Sequence, residues 1–290
     1  LNVELNIQNS SFKIYLMAEL SRKEVILALA AVPYGKDVAH GARLAGVDLS
    51  GLDLHGLNFA HADLRNANLR GAQLNSARFN GALMHAADLT ETEATQADFT
   101  ATDLTSAVLN HARLNEAIFA HAVLEAANLI GADLRRADLR QAKLARADLR
   151  SADAGHAKLH RARMAGAQFG NADLMAAEFH AAELNDANLD AVLAERADFR
   201  DAFLQRASLI DARLQGALLR DANLSDALLL RADLSDAQCS RAIFRGANLQ
   251  GVVFDGADLT EATLRNAELS EGALLRATLN QTVLTNGAIA

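Results

Sequence analysis

Between residues 44 and 284 an apolar side chain returns at every fifth position. Leucine, phenylalanine or methionine stands there in 45 of 49 pentads, and alanine stands two places earlier in 40. Residues 131–150 (GADLRRADLRQAKLARADLR) show the beat plainly, with Leu134, Leu139, Leu144 and Leu149 each preceded by an alanine. A helical stripe recurs every three or four residues and a strand face every two, so five fits neither. Within one pentad, however, the alanine (position i−2) and the leucine (position i) lie two apart and point the same way in an extended segment. If the other residues turn the chain inward each time, it winds into a solenoid with both side chains inside. Ahead of this beat, residues 1–16 alternate apolar and polar around Asn9-Ser10-Ser11, which predicts a β-hairpin. Ser21 and Glu24 form an S-x-x-E capping box for a helix over 22–32 that stops at Pro33.

The number of sides follows from which centres share a phase. Phe59, Phe79, Phe99, Phe119, Phe179 and Phe199 are separated by multiples of twenty; Ala94, Ala154 and Ala194 share a second phase, Met84 and Met164 a third. A twenty-residue coil of four pentads stacks like on like, and predicts a continuous internal column at Phe59, Phe79, Phe99 and Phe119. With coils about 4.8 Å apart, the repeats make about twelve coils and a rod of about 60 Å. The division is residues 1–41 as hairpin and capping helix, and 42–290 as solenoid. Val47, Leu52 and Leu57 suit a wider first coil, whose open edge the helix would cover. Thr92 and Ala94 predict a thin spot, either a local bulge or a wall pulled inward. The repeats decay at Gly272, Thr282 and Gly287, so the last coil is read as an open edge available for end-to-end self-association.

The A-(D/N)-L-x-x pattern over about residues 42–289 resembles the pentapeptide-repeat family. That resemblance implies an all-β solenoid, a right-handed quadrilateral β-helix, and a non-enzymatic role in presenting rigid faces to a protein partner. It also implies an alternative: some members imitate a DNA duplex and bind type II topoisomerases such as gyrase. In this chain the acidic residues are interspersed with arginines and no loops are inserted, which favours the scaffold. The lead-in LAGVDLSGLDL at 44–54 looks like the start of pentapeptide tails of bacterial type VI secretion adaptors and effectors, a further alternative.

Composition adds limits. The chain has 290 residues, 28 basic against 36 acidic, and a net charge of −8, hence a mixed, mildly acidic surface. One cysteine excludes an internal disulfide, and Cys239 sits at a centre position as a buried, inert thiol. No long apolar run suggests a leader or a membrane span, so a cytoplasmic location is expected, with leaderless secretion open. No cofactor is implied. Asp or Asn at i−1 is placed to hydrogen-bond nearby backbone.

Basic residues crowd the middle: Arg135, Arg136, Arg140, Lys143, Arg146, Arg150, Lys158, Arg161 and Arg163 form a girdle around all sides. One column is more ordered, namely Arg140, His160, His180, Arg200 and Arg220, with Asp138, Glu178 and Asp198 on the same face. It reads as a salt-bridged wall. No aromatics are interleaved for base stacking, so direct nucleic-acid binding is not expected. His160 and His180 should stack one coil apart near Glu178, but zinc needs three or four ligands. Flat or convex faces offer no catalytic pocket. The candidate docking surface is apolar: Ile210, Leu228 and Leu230 on one side, with Phe203 and Leu218 on neighbouring sides.

Overall fold

The computed structural model describes residues 21–30 and 41–290. The hairpin expected over residues 1–16 and the stop at Pro33 lie outside the described residues. Helix α1 runs Arg22–Ala30. Its start is the predicted capping box: the Ser21 amide and hydroxyl both donate to Glu24 Oε2 at 2.7 Å, and the Glu24 amide donates to Ser21 Oγ at 3.4 Å. Val25 is wholly buried in one cluster with Leu44, Leu49 and Leu54, against which Leu52 and Leu57 are partly buried. The Arg22 guanidinium donates to the backbone carbonyls of Asp53 and His55. Among the described residues no helix is long and apolar enough to cross a membrane.

From residue 41 onward the chain is a parallel coil in which residue n bridges residue n+20, beginning at Arg43↔Asp63 and reaching Thr263↔Val283. Two coils extend the pairing into short strands, β1 (Asn248–Leu249) and β2 (Glu268–Leu269). A twenty-residue register holding four pentads gives four sides. We label them by their first centres as A (Leu44), B (Leu49), C (Leu54) and D (Phe59). Leucine centres and alanines fill the interior at essentially zero exposure along the rod. The side D column is as predicted: Phe59, Phe79, Phe99 and Phe119 stack with ring centroids 5.0, 4.9 and 4.8 Å apart and planes within 6°.

One pentad accounts for all five of its amide donors. Around Leu64, the Asp63 amide donates to Ala42 O, Leu64 to Leu83 O, Asn66 to His85 O, and Ala67 to Leu64 O, at 2.7–3.0 Å. The fifth donor, the Arg65 amide, is taken by the Asp63 carboxylate at 3.3 Å. Asp or Asn at i−1 does this repeatedly, as at Asn68, Asp88 and Asp148, because a buried or crowded amide left unpaired is costly. The i+3→i bond closes a turn whose third residue has positive φ, the mark of a type II turn. Most corners hold non-glycine residues, among them Asn66 (φ 56), Arg136 (φ 58) and Asp226 (φ 57). Each such residue costs about 1–2 kcal/mol, sustained because neighbouring coils hold both of its flanks.

Three places depart from expectation. At Thr92 and Ala94 there is no bulge: Gln73↔Glu93↔Arg113 stays in register, and the Thr92 hydroxyl satisfies itself on Leu89 O at 2.9 Å. The wall instead fails later, over 270–276. There the Gly256 amide bonds Arg276 O rather than its in-register partner, turns close at Ala273 and Leu275, and Leu275 is 86% exposed. Gly272 stands where alanine would anchor the corner, so nothing pulls that side inward. Finally, the chain folds back on itself: Val283 pairs antiparallel with Ile289, and Leu284 and Ala290 donate to Ala288 O and Thr282 O. The expected open last edge is therefore corrected on side A, where residues 288–290 occupy it.

Candidate functional site

Each side offers solvent two rows, i−1 and i+1, and each corner a third, i+2. The backbone is committed to the ladder, so recognition rests on side chains. On side B the register stacks Ile210 beneath Leu230, with Leu228 beside them in the bridge Ser208↔Leu228. Leu228 is 42% exposed, and Ile210 and Leu230 are half-buried. Phe203, 45% exposed, lies on the adjoining side A. Leu218 does not join them. It flanks Leu219, two pentads after Leu209, which in a four-sided coil is side D, opposite side B. The expectation that it lies next to the patch is corrected. Sequence reasoning missed a second exposed apolar pair, Met175 and Leu193 on side C; their spacing of eighteen, diagonal neighbours on one side, was the available signal.

Every member of the basic column on side D lies near a carboxylate, though Arg220 shares Asp221 with Arg241, which forks it. Arg140 forks Asp138 at 2.6 and 2.8 Å, and Arg200 forks Asp198 at the same distances. His160 Nε2 contacts Glu178, His180 Nδ1 lies 3.4 Å from Asp201, and Arg220 lies 3.4 Å from Asp221. The two imidazoles sit edge to face with centroids 6.1 Å apart, not stacked. Among the described residues no three His, Cys, Asp or Glu side chains converge as metal ligands.

The girdle separates into two classes by position. Arginine at i+1 behind Asp at i−1 closes a fork within its own pentad, as in Arg65–Asp63, Arg135–Asp133 and Arg150–Asp148. Those forks hold the Asp63, Asp133 and Asp148 carboxyls below the usual range, against the opposing pull of partial burial. Burial pushes Asp138 and Asp198 upward more strongly, yet their arginines bring both net below it. Lys143, Arg146, Arg161 and Arg136 sit at i−1 or at corners and make no ion pair among the described residues. A third pattern bridges coils: Arg206–Asp186 and Arg231–Asp211 pair across twenty residues at 2.6 Å.

The faces are not uniformly flat, which corrects the expectation from the repeat. An open cleft of about 410 Å³ lies on side C where Gly155 presents no side chain, ringed by Arg135, Arg136, Asp153, His156 and Met175. A second, of about 600 Å³, lies at the corner of sides D and A around Lys143, Arg161 and Arg163. Both form where small residues sit between long ones.

The family model for pentapeptide repeats matches in eight copies that together span residues 42–286. Among solved structures, the chain is similar to HetL, a pentapeptide repeat protein involved in heterocyst differentiation regulation from the cyanobacterium Nostoc sp. strain PCC 7120. The identity is 29% over 94% of this chain and 100% of that one, with a TM-score of 0.55. It also matches QnrB1, a plasmid-mediated fluoroquinolone resistance protein, at 18% identity over 62% of this chain and 88% of that one, with a TM-score of 0.32. A pentapeptide repeat protein of the Arabidopsis thaliana thylakoid lumen matches at 30% identity over 41% of this chain and 75% of that one, with a TM-score of 0.20. No curated protein matches.

Proposed function

Because the chain belongs to the pentapeptide-repeat family, we propose that this right-handed quadrilateral β-helix is a non-enzymatic scaffold that presents its faces to a protein partner. The rod has about twelve coils, and α1 closes the first of them by burying Val25 and engaging the Asp53–His55 backbone. The observation that carries the reading is the side B cluster of Ile210, Leu228 and Leu230, with Phe203 exposed on the adjoining side A. Contiguous apolar surface tends to mark contact sites, and here it lies on a rigid backbone that loses little freedom on binding. Similarity to HetL, a protein of regulation, over nearly the whole chain supports contact rather than chemistry.

A duplex mimic directed at gyrase would need carboxylates left free along a face. Asp63, Asp133, Asp138, Asp148 and Asp198 are instead forked by arginines, so the scaffold is the stronger reading, and supercoiling by gyrase should be unaffected at micromolar protein. The test of the scaffold is the double substitution Ile210→Asp and Leu230→Asp, which changes no core position. Loss of a central anchor costs about 2 kcal/mol or more of binding, so partners captured by the native protein should bind at least about thirtyfold more weakly. A folded double variant that keeps every partner at native affinity would remove side B from the proposal.

A further inference from the structure

We infer that the cleft at the corner of sides D and A, built on Lys143, Arg161 and Arg163, docks an acidic segment of a protein partner. The protein carries a net charge of −8, yet this cleft gathers three cations against one carboxylate, Glu183. Among the described residues that carboxylate pairs only with Arg163, and at a long 3.6 Å. Lys143 and Arg161 make no ion pair among the described residues, whereas Arg135, Arg140 and Arg150 nearby are each forked by an aspartate.

The reason lies in the position of each residue within its pentad. Lys143 and Arg163 occupy i−1, the place an aspartate would fill, so their pentads contain no carboxylate to close a fork. Arg161 stands at a corner whose neighbours one coil either way are Gln141 and Ala181. The bridge Lys143↔Arg163 fixes two of the charges one coil apart, about 4.8 Å at the backbone. Ala145 and Ala165 at i+1 leave the space in front of them open. Three like charges held together with one counter-charge cost energy that a bound anion relieves.

The chemistry of the occupant follows from what the cleft lacks. Phosphate sites commonly use free backbone amides, but the amides of Lys143, Arg161 and Arg163 are all bound to carbonyls of neighbouring coils at 2.9–3.0 Å. This cleft is open and would leave a small anion largely in water, whereas small-ligand pockets bury most of their ligand. A chain running along the rod can place several carboxylates in succession, and guanidinium groups take carboxylates in bidentate forks. This surface is separate from the apolar cluster on side B, so either can stand without the other.

The test uses fluorescein-labelled hexaglutamate and fluorescence anisotropy at physiological ionic strength. Three proteins are compared: native, the cleft triple Lys143→Ala, Arg161→Ala and Arg163→Ala, and a matched triple Arg135→Ala, Arg140→Ala and Arg150→Ala. Both triples remove the same charge from the same stretch of rod, and circular dichroism checks that each folds. The proposal expects the cleft triple to bind about tenfold more weakly or worse, and the matched triple to stay within about twofold of native. Equal weakening in both triples would mean net charge alone is sensed, and no binding by the native protein would remove the site. Displacement of the peptide by pyrophosphate at lower concentration than by unlabelled hexaglutamate would identify a small-anion site. Each of those three results overturns the proposal.

Discussion

Replacing Phe99 by alanine removes a ring that is wholly buried and stacked on both faces, with centroids 4.9 Å from Phe79 and 4.8 Å from Phe119. Phe→Ala in a packed core costs about 3–5 kcal/mol, and more where the surroundings cannot collapse. Here they cannot, because amides on both neighbouring coils hold the wall at a fixed spacing. Two stacked contacts also vanish, each worth about 0.5–1.5 kcal/mol. The loss should therefore lie at the upper end, about 4–5 kcal/mol. Phe119→Ala supplies the comparison: its next neighbour along the column is Leu139, so it loses one stacked contact rather than two, and should cost about 1 kcal/mol less. Guanidinium unfolding followed by circular dichroism measures the difference, with the m-value watched for loss of cooperativity along the array. Hydrogen exchange then reports whether loosening is confined to the coils around 79–119. A cost below about 2 kcal/mol, or a larger cost for Phe119 than for Phe99, would refute the packing argument.

Other expectations test separate links. Gly71 has φ 64 with nothing within 4 Å of an added Cβ, so Gly71→Ala should destabilise by about 1–2 kcal/mol through backbone conformation alone; a neutral result in thermal unfolding would contradict the turn assignment. Burial pushes the Cys239 thiol well up, so a thiol reagent should leave it unmodified in the native protein and react only after denaturation; ready native labelling would contradict the core placement. The Asp63, Asp133 and Asp148 carboxyls are held below their ordinary value of about 3.9. Their contribution is therefore present above that value and lost as pH falls through the lowered folded values. Stability should decline below about pH 4, less steeply for Asp133→Asn with Asp148→Asn; identical acid limbs would show that the forks contribute nothing.

Much of the fold was legible because the core is written directly in residue type. Large rings at 59, 79, 99 and 119 and alanines at 94, 154 and 194 fall on their own sides only if the coil holds twenty residues, and the bridges keep that count. The corners were less legible. Positive φ normally announces itself as glycine, but here Asn66, Arg136, Ala126 and Asp226 adopt it, because ladder bonds on neighbouring coils outweigh the local preference. The ion-paired column on side D was legible, but the sorting within the girdle was less so. Counting basic residues gave a girdle, whereas an Asp-Leu-Arg triplet such as 133–135 or 148–150 neutralises itself and a lysine at 143 does not. The spacing of two was present in the sequence and could have sorted them. Placing Leu218 beside Ile210 failed by not following the coil around: ten residues is half a turn. The fold-back of residues 288–290 left no periodic signal, since only three residues and Gly287 are involved.

Every assignment of residues to a face depends on the twenty-residue register, and one distance tests it most directly. Spin labels at Ser50→Cys and Gln250→Cys occupy equivalent exposed positions on side B, and the buried Cys239 should remain unlabelled. Two hundred residues of four-pentad coil amount to ten steps, so pulsed dipolar measurement should centre at about 48 Å. A three-pentad coil would place the labels at about 64 Å and a five-pentad coil at about 38 Å. A distribution centred near either of those values would contradict the four-sided rod and every face drawn from it.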